Sequence, residues 1–538
     1  NTYGGVVALV SSSSVAEAGA SFTNTPMLVL NVGNLTTVNE ALLAKYAKTN
    51  QPTGYPSSTA YFAQIQGAIT NSDAGAAISV TAGTFNENVV VNKFLTLTGA
   101  GNTPAGTVIA GTGTGVGLNI AANGLSSSNR LVVSDLRVTN FNHGLQTSGA
   151  SFVTFANVVS TANLGNGLDL GNATDLLLTG CELSYNTNGI RAGTAAMITD
   201  FEMDGCAVNH NNMGLVIFQM NSGASNFSDV LIKNSTFNEN KQKGIYVEKL
   251  HNAVFDNLVV DHSGWDTGYQ WSAGVDINLK YRTDYANISF INPTITDNGV
   301  GALYGVGLTI KARDDAPSYN GNPASLDNVS INGGVVDGNQ VGVRFSEPGK
   351  TNAGPTNVTI SQVCFDNNLT AGLVNGSLAT TMAVNNAWGN ATGPYNATSN
   401  PGGTGDAVSD DVTFVPWLIA CGGSSGNFHN VTDNTFFATM QAAVNAASYG
   451  DVIVPLAPGP FGAEGSATVA TNGVTIKLMG RTFGPGSPAF TITGNDVTIL
   501  GPGVIDGGGG NASPGILVQA GAGNFTLRDA EVKGWADG

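Results

Sequence analysis

Lys243-Gly244-Ile245-Tyr246-Val247, Ala273-Gly274-Val275-Asp276-Ile277, Val306-Gly307-Leu308-Thr309-Ile310 and Val341-Gly342-Val343-Arg344-Phe345 are four statements of one phrase. It consists of a turn residue, a glycine and an alternating strand. Upstream it recurs as His143-Gly144-Leu145-Gln146, Asn166-Gly167-Leu168-Asp169-Leu170, Asn188-Gly189-Ile190-Arg191 and Met213-Gly214-Leu215-Val216-Ile217. Downstream it recurs as Ala371-Gly372-Leu373. Successive glycines lie 22 to 35 residues apart. A drifting repeat of this length, carrying a fixed strand phrase, marks a solenoid whose units bury their apolar sides only against one another.

Counting from each glycine, the first and third positions are mostly apolar, and a period of two puts them on one face. Tyr246, Asp276, Thr309 and Arg344 then form one outward column, and Glu248, Asn278, Lys311 and Ser346 form the next. Further short strands separate the phrases, such as Leu176-Leu177-Leu178, Val230-Leu231-Ile232 and Val329-Ser330-Ile331, each bounded by turn formers. With several strands per repeat and no helical periodicity between them, the fold class is all-β, a parallel β-helix. The glycine itself is expected to answer a need for positive φ or for close backbone packing.

Taken in order, residues 1–58 hold two apolar runs, Val6 to Val10 and Met27 to Val32, and an amphipathic helix from Thr37 to Ala47. This segment is expected to cap the solenoid or to contact another subunit. Residues 59–384 form the β-helix, opened by a short helix from Tyr61 to Ile69 that serves as its lid. Residues 385–433 close it and lead onward, with Trp388 and Trp417 expected over the last coil. From 434 to 538 the opening passage repeats: Phe437 to Val444 matches Phe62 to Ile69, and Phe525 to Gly538 aligns with Leu131 to Gly144 without a gap. A second, partial β-helix is therefore expected there. Its last coil, ending at Gly538, is expected to stack head to tail on another copy.

Charged residues make up only 11% of the chain and the net charge is −17. That balance argues against nucleic acid and anionic membrane surfaces as partners. There is no apolar run long enough to span a membrane. The chain begins at Asn1 rather than Met, which is read as a processed export signal and an extracellular location. Cys181 and Cys206 each follow a glycine before an apolar pair, one repeat apart, and are expected to be buried or bridged between coils. No cofactor is expected beyond a structural Ca²⁺, whose position the acidic chain does not reveal.

The N-x-G-[LIV] phrase, the helix lid and the closing segment around Asn385-Asn386-Ala387-Trp388-Gly389, Gly393-Pro394, Asn400-Pro401-Gly402-Gly403 and Val415-Pro416-Trp417-Leu418 resemble secreted bacterial right-handed parallel β-helix repeat proteins of the pectate-lyase-like superfamily. The resemblance covers about residues 60–420 and 434–538. It implies a right-handed helix and admits polysaccharide lyases, glycoside hydrolases, phage tailspikes and adhesins.

Chemistry in such a fold would use the outward strand face. Here Glu248, Asp276, Lys311 and Arg344, with Trp265, Tyr269 and Trp271 in a neighbouring loop, are the candidate ligand-binding residues, suited to a saccharide. Asp276, Lys311, Arg313, Asp314, Asp315 and Arg344 are the weak catalytic candidates. Paired carboxylates can act as acid and base, and a nearby Lys or Arg can stabilise a uronate or abstract from it. Lys311-Ala312-Arg313-Asp314-Asp315 has the residue types of galacturonase motifs. Those motifs, however, lie on separate coils and include Asn-Thr-Asp and Gly-His-Gly, both missing here. The expectation is therefore a non-catalytic extracellular surface protein, a fibre or sheath subunit or an adhesin, with a polysaccharide or cell surface as external partner. A secreted lyase or hydrolase acting on acidic polysaccharide through Glu248–Arg344 is the alternative.

Overall fold

The alternating phrases fold as one strand per coil. In the computed structural model, which describes residues 27–29, 60–62, 64–418, 421 and most of 428–535, Leu145, Leu168, Ile190, Leu215, Ile245, Val275, Leu308, Val343 and Leu373 are successive register partners. All nine are buried. They belong to an 11-stranded parallel sheet that runs the length of the solenoid. A 15-stranded sheet lines a second side, and two four-stranded sheets line the third. Those two are joined by single bridges through Glu182, Ala207 and Thr236. The enclosed apolar column is one continuous core from Ile65 to Phe414, so the all-β parallel β-helix read from the phrase is the fold.

The phrase glycines are there for closeness. A Cβ on Gly214 would stand 2.2 Å from the Gly244 carbonyl, and one on Gly274 2.6 Å from that of Gly307. Stacked coils therefore approach backbone to backbone at this point, and any side chain would push them apart. Positive φ occurs instead at the corner after the 15-stranded sheet, at Asn157, Gly180, Gly205, Asn234 and Asn257.

A buried polar ladder holds the corner before the 11-stranded sheet. The backbone N–H of Asn163 donates to Asn186 Oδ1 (3.0 Å), that of Asn186 to Asn211 Oδ1 (2.9 Å), and that of Asn211 to Asn240 Oδ1 (3.0 Å). Ser263 carries the chain of bonds across to Asn298, Asn339 and Asn368, and the carboxylate of Asp406 accepts the last one at 3.2 Å. Each amide satisfies a backbone donor that a tight turn would otherwise bury unpaired.

The first helix runs Ile65–Asn71 and buries Ile65, Ala68 and Ile69 on the core. Tyr61 and Phe62, expected at the start of this helix, belong to the strand Ala60–Phe62 beside Met27–Val29, which in turn pairs with Ala76–Val80. The Glu87 carboxylate accepts from Ile65 N and Gln66 N at 2.8 and 2.9 Å, answering two of the helix's free donors. At the other end Trp388 is fully buried and stacks on Phe365, with ring centroids 4.4 Å apart. The expected strand at 6–10, the helix at 37–47 and the last three residues lie outside the described residues.

The chain divides into two compact units, Asn1–Trp417 and Leu418–Gly538. The second has its own core around Phe428, Phe461, Phe483 and Phe490. Its helix Met440–Ala446 is capped by Thr439 Oγ1, which accepts from Ala442 N at 3.1 Å. Three parallel ladders follow, although Phe428–Asn430 enters antiparallel to Val452–Pro455. Cys181 and Cys206 are buried and not bridged to one another, Cys364 is buried and Cys421 is exposed. No helix among the described residues is long and apolar enough to cross a membrane.

Candidate functional site

The outward column of the 11-stranded sheet places Tyr246 beside Asp276, Asp276 beside Thr309, and Thr309 beside Arg344, with Asn278 beside Lys311 one position on. Period-two strands should leave such a column in water. Here every residue of Ala273–Leu279, Val306–Ala312 and Val341–Phe345 is buried. The loops spanning 264–272, 299–305 and 313–325 fold over the sheet and cover its polar side.

Three charge groups result. At the centre Asp276 meets two ammoniums: Lys243 Nζ bonds its Oδ2, and Lys311 Nζ lies 2.8 Å from its Oδ1. Asp276 and Lys311 are each only 2% exposed and Lys243 3%. Burial raises the Asp276 pKa, but the two lysines outweigh it and hold the carboxyl well below the usual range. For Lys311 burial dominates and, with repulsion from Lys243, pushes the ammonium below its ordinary value despite Asp276. Arg344, in the same column, has no carboxylate within ion-pair distance among the described residues. Burial brings it down to about 10. Its Nη2 donates to the Tyr304 carbonyl at 3.0 Å.

On one flank, Glu248 accepts from Lys280 and from the Tyr246 hydroxyl, the latter at 2.7 Å. Asn278 Nδ2 donates to Tyr246 Oη at 3.1 Å. Burial first, then Glu248 and Asp276, push the Tyr246 phenol far above its usual range, so it keeps its proton. On the other flank, Arg313 is bidentate to Asp315 (2.7 and 3.0 Å) and also reaches Glu347 at 2.6 Å. Burial raises Asp315, but Arg313 outweighs it and brings the carboxyl to about 2. Asp314 accepts from Asn352 Nδ2 and Ala353 N at 2.7 and 3.0 Å.

The cover is aromatic. Trp271 stacks on Tyr304 at 4.4 Å, and Lys311 Nζ lies 5.8 Å from the Trp271 ring centroid. Lys243 Nζ is 4.3 Å from the Tyr246 ring and 5.7 Å from that of Tyr269. Arg313 sits 4.4 Å over Tyr319. Of the residues singled out from sequence, Asp276, Lys311, Arg344, Tyr269 and Trp271 surround the central group. Glu248 belongs to one flank, and Arg313, Asp314 and Asp315 to the other. Trp265 stands apart, half exposed, with Nε1 donating to the Glu239 carbonyl at 3.3 Å. Sequence reasoning missed Lys243, Tyr304 and Tyr319. Alternation puts Lys243 on the Ile245 side, yet its ammonium reaches Asp276 on the polar side. Among the described residues no group of His, Cys, Asp and Glu could hold a metal ion.

Residues 121–280 match the family model described as "Right handed beta helix region". No curated protein matches the chain. Solved structures that it resembles include an alginate lyase from Paenibacillus, at 14% identity over 65% of this chain and 96% of that one, with a TM-score of 0.33. Another is the catalytic domain of an α-1,3-glucanase solved with tetrasaccharides, at 17% identity over 65% and 66%, with a TM-score of 0.41. A third is a polysaccharide-lyase-family-6 alginate lyase, at 14% identity over 86% and 74%, with a TM-score of 0.36. These are likenesses of fold.

The expectation of a non-catalytic fibre subunit or adhesin that assembles by coil-end stacking is corrected here: the solved structures matched are mostly of polysaccharide lyases and glucanases, with an epimerase among them. The burial supplies a physical reason. A ladder that only sets register works as solvated pairs contributing roughly 0.2–1 kcal/mol each, whereas these ions are desolvated, at several kcal/mol apiece. In repeat, in sheet topology and in the family model matched over residues 121–280, the chain folds as a right-handed parallel β-helix.

Proposed function

We propose that this chain is a secreted polysaccharide lyase that cleaves a uronate-containing polymer at the covered face between Glu248 and Arg344. The observation that carries the reading is the central charge group: two lysines and an arginine around one carboxylate, under an aromatic roof, in a chain whose net charge is −17. A cationic centre in so acidic a protein favours a polyanion over a neutral glycan, and Trp271, Tyr304 and Tyr269 offer apolar faces to sugar rings.

Elimination fits the protonation states better than hydrolysis does. A glycoside hydrolase needs one carboxylic acid kept protonated beside a second carboxylate. Asp276 and Asp315 are both held ionised by their cations, and Glu248 already accepts from Lys280 and Tyr246. In β-elimination a cation neutralises the uronate carboxylate, which acidifies the C5 proton, and a base removes that proton while the C4–O4 bond breaks. Lys311, whose ammonium is pushed below its usual value, is the candidate base. Arg344 is the candidate electrophile. Asp276 positions Lys311, and Tyr246 holds a proton that the leaving oxygen can take. The polymer reaches Lys311 when the Trp271–Tyr304 roof lifts.

The test is release of unsaturated ends from a panel of polyuronides and neutral glucans. The expected result is activity on at least one polyuronide, with Lys311→Ala slower by a factor of about 100 or more. Reducing ends without unsaturation would indicate hydrolysis instead, and a folded chain inert on the whole panel would end the proposal.

A further inference from the structure

Several buried side-chain atoms of the site lack a hydrogen-bond partner among the described residues, namely Asp276 Oδ1, Asn278 Oδ1, Thr309 Oγ1 and Arg344 Nε. Asp276 Oδ1 is answered by the Lys311 ammonium at 2.8 Å, a contact of charge more than of alignment. Thr309 Oγ1 and Arg344 Nε are different. Both can donate, and their residues are register partners on neighbouring coils, 1% and 7% exposed. Their side chains therefore stand side by side on the same covered face. Donors buried this deeply are normally paired, and Arg344 also carries a charge with no carboxylate in contact among the described residues.

Two donors without acceptors and one positive charge with no carboxylate in contact among the described residues match the two oxygens and single charge of a carboxylate. A metal cation is disfavoured by Lys243, Lys311 and Arg344 together. A neutral hydroxyl could satisfy one donor and would leave the charge unanswered. The guanidinium is already fixed from its other end, because Nη2 donates to the Tyr304 carbonyl at 3.0 Å. That bond ties Arg344 to the residue that stacks on Trp271.

We infer that Thr309 and Arg344 form a carboxylate-binding site, with Arg344 Nε donating to one oxygen and Thr309 Oγ1 to the other, Lys311 lying beside them. The assignment of that carboxylate to a sugar acid rests on the lyase reading; the anion site itself rests on the two unpaired donors. Filling it also braces Tyr304, so ligand and roof are held by one guanidinium.

The experiment is calorimetric titration of the whole chain at constant ionic strength with sodium glucuronate, sodium acetate and glucose. Glucuronate binding, weaker acetate binding and no glucose binding are expected. Thr309→Val removes only a hydroxyl, and Arg344→Lys keeps the charge while removing Nε. Each is expected to weaken glucuronate about tenfold or more. A wild-type chain that ignores both carboxylates, or variants that bind as wild type does, would overturn the assignment. Carboxylate binding lost in both variants, with no polyuronide cleaved, would leave this site standing and remove the lyase. Cleavage that survives both substitutions unchanged would remove this site and keep the lyase.

Discussion

The 11-stranded sheet behaves in two ways along its length. In the coils of Gly144, Gly167 and Gly189 the outward residues Gln146, Asp169 and Arg191 are partly exposed: Asp169 accepts from Asn166 and Gln146 at 2.7 and 3.1 Å and lies 3.8 Å from Arg191. In the coils of Gly274, Gly307 and Gly342 the equivalent positions hold Asp276, Thr309 and Arg344, all buried and tightly paired or unpaired in a confined space. The strands share one register and differ by at most two residues in length; what differs most is the cover. A solenoid can thus keep one strand ladder and make one part a solvated scaffold and another a low-dielectric polar cluster, chiefly by lengthening the loops.

The largest test of this contrast removes the central carboxylate. Asp276→Asn leaves Lys243 buried without a counter-charge and Lys311 with only Glu347, 3.7 Å away, and should destabilise the unit by about 3–5 kcal/mol. The matched change Asp169→Asn should cost under about 1 kcal/mol. Urea midpoints of the two variants measure the difference, and equal shifts would mean that the covered coils are no special environment.

The asparagine ladder, by contrast, runs through both regions and should not distinguish them. Asn186→Ala frees the N–H of Asn163, and Asn339→Ala frees that of Asn298. Each should cost about 1–3 kcal/mol, and the two should agree to within about 1 kcal/mol. A much larger loss at Asn339 would show that the ladder also supports the covered loops.

A smaller effect separates the regions by pH. Lys249, fully buried beside the covered coils, donates to the Ala196 carbonyl at 2.6 Å and to Ser225 Oγ at 2.8 Å. Burial outweighs the attraction of Glu248 and lowers its pKa to about 8. The unfolded chain keeps this proton to about 10.4, so the folded state binds fewer protons between the two values, and stability rises with pH across that interval. Lys249→Met should flatten the rise between pH 8 and 10, measured as the midpoint difference from wild type. An unchanged slope would assign the titration elsewhere. Smallest of all, Arg191→Ala on the open coils should change stability by less than about 0.5 kcal/mol.

How much of this was legible in the sequence follows the same division. The glycine phrase carried the strands, the register and the inward column, because alternation and spacing are local properties. The columns Tyr246–Asp276–Thr309–Arg344 and Asn278–Lys311 could be written down from phase alone. Burial could not. It comes from loops whose only sequence sign is the widening of the repeat after Gly214, from 22–25 to 30 or more residues, and length does not say which way a loop folds. Lys243 was missed because alternation assigns it to the inward side, while its long side chain reaches Asp276 on the polar one. Trp265 was drawn into the site by being near it in sequence, yet its indole bonds the Glu239 carbonyl and lies half in solvent. The asparagine ladder had a sign, an Asn three or four residues before the phrase glycine as in Asn186 and Asn240, but its meaning lies in bonds between coils. The glycines were read with two motives, and the structure selects the second, backbone approach.

The central claim is that the covered coils receive an acidic polymer and the open ones do not. Amide hydrogen exchange, with and without an alginate or polygalacturonate oligomer, tests it most directly. The account predicts protection confined to residues 264–272, 299–305 and 313–325, where the roof closes on its ligand. Unchanged exchange in those loops, or protection gathered on the coils from His143 to Ile217, would contradict it.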